Sequence, residues 1–139
     1  MIALTVIIFV STIFIDILLI TNKEKQKQQE LQILEHSYII GYYYLRSQII
    51  NADSLLGGGQ LLVIKQGFSS QEIRKYGDKV NRYIENNPGV INVFQFVEHI
   101  NFEILPQQMG IRMYGKLKKG GSTLDFDEVI LRKKNENDR

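Results

Sequence analysis

The chain has 139 residues, 44% of them hydrophobic, with 17 Lys and Arg against 15 Asp and Glu. Four basic and two acidic residues in the tail, residues 132–139, account for the whole net charge of +2, so the rest of the chain is neutral. A chain without a basic stripe is not expected to bind nucleic acid directly, and the absence of cysteine excludes disulfides and thiolate chemistry.

The first predicted element is a transmembrane segment over residues 1–22. The run of Ile, Leu, Val and Phe in residues 2–20 is interrupted only by Thr5, Ser11, Thr12 and Asp16. A helix of about 20 such residues spans the roughly 30 Å hydrocarbon core of a bilayer. A cleaved signal peptide needs basic residues before its apolar core and small residues at a cleavage site. The first basic residue is Lys23 and no such site follows the run, so we expect a retained, single-pass anchor.

Asp16 is the charged residue inside this apolar run. An ionised carboxylate within a bilayer costs several kcal/mol unless it reaches the interface, pairs or takes up a proton. Asp16 lies about a turn and a half before the polar stretch that begins at Thr21. Its side chain can therefore extend to the interface. The alternative hypothesis is a contact with the helix of a neighbouring subunit, in the membrane or in the core of a filament.

The helix is predicted to continue beyond the membrane as an amphipathic segment over residues 23–56. Residues 23–31 are rich in Lys, Glu and Gln, which have high helix propensity. An apolar face then recurs at helical spacing: Leu31, Leu34, Tyr38, Leu45, Ile49 and Ala52. We expect one helix from Ile2 to about Leu55. It is followed by Gly57-Gly58-Gly59, which we interpret as a hinge between a rod and a domain.

Residues 57–132 are predicted to form a small α+β domain, followed by a charged, solvated tail over residues 133–139. Ser69 and Glu72 have the spacing of a capping box. Apolar residues then recur at helical spacing, which predicts one extra helix that ends near Pro88: Ile73, Tyr76, Val80 and Ile84. From Val90 onward the pattern is that of about four antiparallel strands, against which the amphipathic half of the long helix packs.

The strongest local signal is a β-hairpin formed by residues 111–119 and 122–132. Gly120-Gly121 between them suits a two-residue turn in which both residues have positive φ. The register then produces an apolar pair, an ion pair and an aromatic ring over a glycine: Leu117 with Leu124, Lys116 with Asp125, and Phe126 with Gly115.

No catalytic, cofactor-binding or metal-binding set is predicted, and the protein is not expected to be an enzyme. His36 and His99 have no companions at the spacing of metal ligands, so we interpret both as structural or surface groups. The glycine run before Gln60 lacks the Gly-Lys-Ser/Thr of a phosphate-binding loop. A nucleophile with its activating residues is also not recognisable.

The residues that remain are candidates for contacts with other subunits: Asp16, Glu35, Tyr42, Tyr43 and Tyr44. Three consecutive tyrosines point in three directions around a helix, so they cover more than one packing stripe. One interpretation is that some rings pack on the sheet while others are exposed. The other is a contact patch for a partner subunit, because tyrosine suits protein interfaces.

The order of these parts resembles a type IV pilin or pseudopilin. Residues 31–40 look like the helix that follows the membrane segment in minor, tip-type pseudopilins, and Glu35 falls where that group often has a glutamate. The layout is also similar to a small minor pseudopilin of Gram-positive competence systems. The family's basic leader and the glutamate at the fifth mature position are not found in the opening Met1-Ile2-Ala3-Leu4-Thr5. Tip-type subunits commonly lack that glutamate, so the resemblance implies a minor subunit.

The resemblance implies a structural subunit of a bacterial type IV pilus, type II secretion or competence filament. Its expected partners are other pilin-like subunits, the membrane assembly machinery and the lipid bilayer, with no cofactor and no small-molecule substrate. The chain would lie in the inner (cytoplasmic) membrane with an extracytoplasmic C-terminal domain. In contrast, the positive-inside rule applied to Lys23, Lys25 and Lys27 predicts a cytoplasmic domain.

Two other functions fit the sequence. One is a single-pass membrane scaffold or regulatory protein of an envelope complex, of division or sporulation type. In that case the helix–strand pattern from Ser69 onward would form a ring-forming or partner-binding domain. The other is a membrane-bound ligand sensor.

Overall fold

The computed structural model describes residues 2–133 as one long helix followed by a domain made of strands. Helix α1 spans Ile2–Ile50, 49 residues, which corresponds to a length of about 70 Å at 1.5 Å per residue. The eight strands are β1 Ser54–Gly58, β2 Leu61–Gln66, β3 Ser69–Tyr76, β4 Lys79–Ile84, β5 Asn87–Phe94, β6 Val97–Ile104, β7 Gly110–Lys119 and β8 Ser122–Leu131. The α+β class and the long apolar N-terminal helix are confirmed, although there are eight strands instead of four.

The strands form two antiparallel sheets that follow chain order. The first sheet has five strands in the order β1-β2-β3-β4-β5, and the second has three in the order β6-β7-β8. A backbone bridge between Gly59 and Phe102 joins the two sheets. The core between the sheets and α1 is apolar and includes fully buried Leu62, Ile73 and Ile111. Within each sheet every strand pairs with its neighbours in sequence, so each sheet is a meander built from local hairpins, and the chain passes from one sheet to the other between β5 and β6.

The β7–β8 hairpin has the predicted register. Leu117 is opposite Leu124, Lys116 opposite Asp125 and Gly115 opposite Phe126. The turn differs from the prediction in one respect, because Gly120 has φ +57° whereas Gly121 has no positive φ. Positive φ at only the first central residue is the pattern of a type II′ turn, which fits the twist of a hairpin equally well.

The extra helix predicted after Ser69 is wrong. Residues Ser69–Tyr76 and Lys79–Ile84 are paired strands, joined by a turn at Gly77, which has φ +60°. Gln71 and Ile73 are buried while Glu72 and Arg74 are exposed, which is the alternation of a strand. Gly-Asp between two β-competent runs is itself a hairpin signal, whereas Gly77 inside a helix would have cost about 1 kcal/mol.

The glycine run after α1 is not a hinge. Gly57 and Gly58 lie in β1, paired with Leu62 and Leu61. A side chain at Gly57 would collide with the Leu61 carbonyl, so the glycine permits the close approach of the two strands. The helix also ends earlier than predicted, at Ile50, because Leu55 is fully buried in β1 opposite Ile64.

The C-terminal end of the domain is held at the end of α1. The Lys133 amide donates to the Ile50 carbonyl at 3.0 Å, and the Arg132 guanidinium donates to the carbonyl of Ala52, just after the helix, at 3.4 Å. The predicted solvated tail otherwise lies outside the described residues. The chain after β8 therefore returns to the point where α1 ends and β1 begins.

Candidate assembly site on the long helix

Every side chain in the first half of α1, residues 3–20, is exposed. Among the described residues, α1 is the one helix that is long and apolar enough to cross a membrane, and its most apolar 18-residue window is 0% buried, with a mean hydropathy of 2.7. Three hydroxyl groups in this half or directly after it donate to the carbonyl four residues earlier: Ser11 to Ile7 at 2.7 Å, Thr12 to Ile8 at 2.9 Å and Thr21 to Ile17 at 2.8 Å. These polar groups are satisfied within the helix, as a lipid environment requires.

Asp16 is exposed on this half of the helix. It lies 18 residues before Leu34 in sequence, which is about five full turns, so both residues occupy the same side of α1. Leu34 is fully buried against the domain. Asp16 is therefore on the side of the helix that carries the domain, and its contact with another subunit stays a prediction.

The second half of α1 has two opposite apolar sides. One side is fully buried against the sheets through Leu34, Leu45 and Ile49. It includes Gly41, which the Phe94 ring approaches so closely that any side chain there would overlap the ring. The other side is an apolar surface with 42–59% of each side chain exposed, the "outer stripe": Ile33, Ile39, Ile40 and Tyr43. Nothing in the described residues covers the outer stripe.

The three consecutive tyrosines have different surroundings. Tyr42 is half-buried and stacks on Tyr38, with ring centroids 5.9 Å apart. Tyr44 is also half-buried, and its hydroxyl accepts a hydrogen bond from Arg82. Tyr43 is 59% exposed and belongs to the outer stripe. Two of the rings thus hold the helix on the domain, and Tyr43 is the one available to a partner. Glu35 is exposed on the flank of the helix.

A polar seam beside Tyr44 was not predicted from the sequence. The Tyr44 hydroxyl donates to the side-chain Oε1 of Gln71 at 3.4 Å, and the Gln71 side-chain amide donates to Oε1 of Gln48 at 2.7 Å. The Gln66 amide donates to the Gln48 backbone carbonyl at 2.7 Å. These partners are far apart in sequence and become neighbours only because β2 and β3 form a hairpin. An isolated Gln or Tyr carries no sequence signal for such contacts.

Tyr38 lies at the centre of the helix–sheet contact. Burial, followed by the charge of Glu128 and a hydrogen bond to its carboxylate, raises the pKa of the Tyr38 phenol well above its ordinary value. The ring lies 5.4 Å from that of Phe126, centroid to centroid. Tyr38 therefore stays neutral at ordinary pH and acts as a packing residue with a hydrogen-bond donor.

Within residues 2–133, no three His, Asp or Glu side chains are grouped so as to hold a metal ion. His36 and His99 are both exposed. The arrangement that stands out is α1 itself, with an uncovered apolar first half and an uncovered outer stripe on its second half.

Comparison with known proteins adds no relative. No family model, no curated protein and no solved structure matches the chain. The function must therefore be inferred from the architecture and the exposed surfaces of α1.

Proposed function

We propose that this chain is a minor, pilin-like structural subunit of a bacterial type IV pilus, type II secretion or competence filament. The apolar first half of α1 would rest in the inner membrane and then pack among the helices of other pilin-like subunits. The C-terminal domain would be extracytoplasmic. The activity is packing between subunits, with no reaction catalysed.

The outer stripe is the observation that carries this proposal. A helix that served only as an anchor would need one apolar side beyond the membrane, to hold its own domain. This helix has a second, and Ile33 and Ile40 continue the exposed apolar surface of the first half along the same rod. An exposed apolar surface of this kind typically marks a protein contact. A bundle of similar rods would cover both halves at once.

The alternative of an envelope scaffold is not favoured by any observation. It depended on a helix–strand pattern from Ser69 onward, and residues 69–84 form a hairpin instead. Likewise, the ligand-sensor alternative gains no support from the cleft beside Ser122, which is wide open.

Site-specific photocrosslinking in cells tests the proposal. A photoreactive phenylalanine analogue at Ile40 should crosslink to the apolar N-terminal helix of another membrane-anchored subunit, as shown by mass spectrometry of the product. The matched control is Lys65, which is exposed on β2 and outside the outer stripe. Products from position 65 and none from position 40, or products whose partner residue lies outside an apolar helix, would contradict the proposal.

A further inference from the structure

The tip of the β7–β8 hairpin lies beside the part of α1 that leaves the membrane. The Ser122 hydroxyl donates to the Glu30 carboxylate at 2.9 Å, and the Gln26 amide donates to the same carboxylate at 3.2 Å. Glu30 is ten residues after Ile20, the last residue of the apolar run, which is about 15 Å along the helix axis. The headgroup layer extends about 5–8 Å beyond the hydrocarbon core, so the tip lies just above that layer and within about one Debye length of it.

An open cleft of about 280 Å³ separates this tip from the helix. It is lined by Lys23, Gln26, Lys27 and Glu30 of α1 and by Gly121 and Ser122 of the hairpin. A single water occupies about 30 Å³ in the liquid, so the cleft has room for a phosphodiester group. Lys23 and Lys27 are one turn apart, so both ammonium groups can reach the same anion from one side of the helix.

Besides Lys23 and Lys27, which line this cleft, further lysines adjoin its lining residues in sequence on α1 and at the end of β7. We define the "lysine collar" as five residues from the helix and the hairpin: Lys23, Lys25, Lys27, Lys118 and Lys119. The Lys119 ammonium lies 4.3 Å from the centre of the Phe96 ring, and the Lys118 ammonium lies 3.6 Å from Glu98. The acidic groups nearby are Glu24, Glu30 and Glu98, which leaves the collar with a net charge of +2.

From this placement we infer that the lysine collar binds anionic phospholipid headgroups, with one lipid phosphate seated in the cleft between α1 and the hairpin. Each basic residue at such a surface adds an attraction that falls off within a Debye length, about 10 Å at 0.1 M salt. A weak attraction is sufficient, because the anchored helix already holds the hairpin at a high effective concentration of lipid. The inference rests on the membrane anchor of the proposed function, and it is independent of filament assembly.

Headgroup binding would give the domain a fixed tilt against the membrane. A single-pass helix alone leaves its domain free to lean in any direction. A second contact, on the side of α1 that carries the domain, restricts that motion and presents the outer stripe in one orientation. Headgroup binding also gives the lysines that follow the membrane span a role other than setting membrane orientation. They would bind lipid on either side of the membrane.

The test uses the full chain with Thr123→Cys, which introduces a unique cysteine at an exposed position next to the tip. The cysteine carries a nitroxide, and the chain is reconstituted in vesicles of phosphatidylcholine alone or with 30% phosphatidylglycerol. Electron paramagnetic resonance then reports how accessible the tip is to a neutral, water-soluble nickel reagent. Resistance of the chain to alkaline carbonate extraction, measured in both vesicle types, tests the anchor separately.

Accessibility should be lower in the anionic vesicles and return toward the phosphatidylcholine value in about 0.5 M salt, where the Debye length is about half that at 0.1 M. The K118Q/K119Q variant should lower the ratio of docked to undocked tip by about fivefold for each lysine removed. K23Q/K27Q, which changes only the helix, should have a similar effect. The control K65Q/K133Q removes two lysines near the C-terminal end of α1 and should change nothing.

Equal accessibility in the two vesicle types would overturn the inference, as would an equal effect of K65Q/K133Q. Inorganic phosphate added to phosphatidylcholine vesicles should not reproduce the anionic result, and a full reproduction would assign the cleft to free phosphate instead. Failure to resist carbonate in either vesicle type would contradict the membrane anchor, and with it the proposed function. The two failures are therefore distinguishable.

Discussion

The two halves of α1 share one unbroken backbone but meet different surroundings. Over residues 3–20 every side chain is exposed, whereas one side of the second half is fully buried through Leu34, Leu45 and Ile49. The first half is apolar around its whole circumference, and the second half has two opposite apolar sides separated by polar ones. Residues 21–29, rich in Lys and Gln, are exposed and lie between the halves.

The two halves of α1 therefore have different roles. The domain is held by the second half alone, so substitutions in the first half should not alter the stability of the domain. Substitutions on the buried side of the second half should alter it strongly, according to how closely each residue is packed. Three substitutions, ordered from the largest expected effect to the smallest, test this division.

Phe126→Ala should have the largest effect. Phe126 is 8% exposed, and its ring centroid lies 5.4 Å from that of Tyr38 on α1 and 6.2 Å from that of Phe94 on β5. Truncating a buried Phe costs about 3–5 kcal/mol, a large share of the stability of a small domain. Urea unfolding of the full chain in mild detergent measures the loss.

The control is Ile13→Ala, in the exposed first half, where the side chain is 44% exposed. It should leave the unfolding free energy of the domain unchanged. A loss at Ile13 equal to that at Phe126 would contradict the division of work between the halves.

The features that could be predicted from the sequence are those fixed by local signals. The β7–β8 register follows from a glycine turn and from three cross-strand pairs within ten residues of it, and the structure has that register. The long helix follows from continuous helix propensity and the absence of Gly before Gly41 and of Pro before Pro88. In both cases the residues that specify the hairpin or the helix lie within that element.

The features that could not be predicted depend on partners distant in sequence. Ile73 and Val80 have a spacing that suits a helix, but Ile73 pairs with Leu62, and Val80 pairs with Phe94 on β5. Tertiary pairing thus overrides a capping-box signal at Ser69. The outer stripe could not be predicted either, because the sequence shows several apolar positions on α1 and only the fold shows which of them the domain covers. Among the assembly candidates, the fold distinguishes the three tyrosines, since Tyr42 and Tyr44 are half-buried and Tyr43 is exposed.

Gly41→Ala should have an intermediate effect. A Cβ at Gly41 would overlap Cδ1 and Cε1 of Phe94, and that ring is 1% exposed and has little room to move. Alanine favours a helix over glycine by about 1 kcal/mol, whereas overpacking a core costs about 1–3 kcal/mol. We expect a net loss measured by the same urea titration.

Gly121→Ala is the matched control for this substitution. A Cβ at Gly121 would meet nothing within 4 Å, and its φ is not positive. Its stability should stay within about 0.5 kcal/mol of the parent chain, as is usual for surface substitutions. A stabilising effect of Gly41→Ala would show that Phe94 does not pack against the helix backbone.

Lys116→Ala should have the smallest effect, although Lys116 and Phe126 belong to the same β7–β8 hairpin. Its ammonium is 3.6 Å from the Asp125 carboxylate, and the two side chains are 33% and 75% exposed. An exposed pair of this kind contributes less than about 1 kcal/mol, and salt screens it further. Urea titrations with and without 0.5 M NaCl should therefore show a small loss that shrinks in salt. A loss as large as that of Phe126→Ala would mean that Lys116, and not Phe126, faces α1. The exposed and covered faces of β7 and β8 would then be exchanged, and the second half of α1 would lose the contacts that distinguish it from the first.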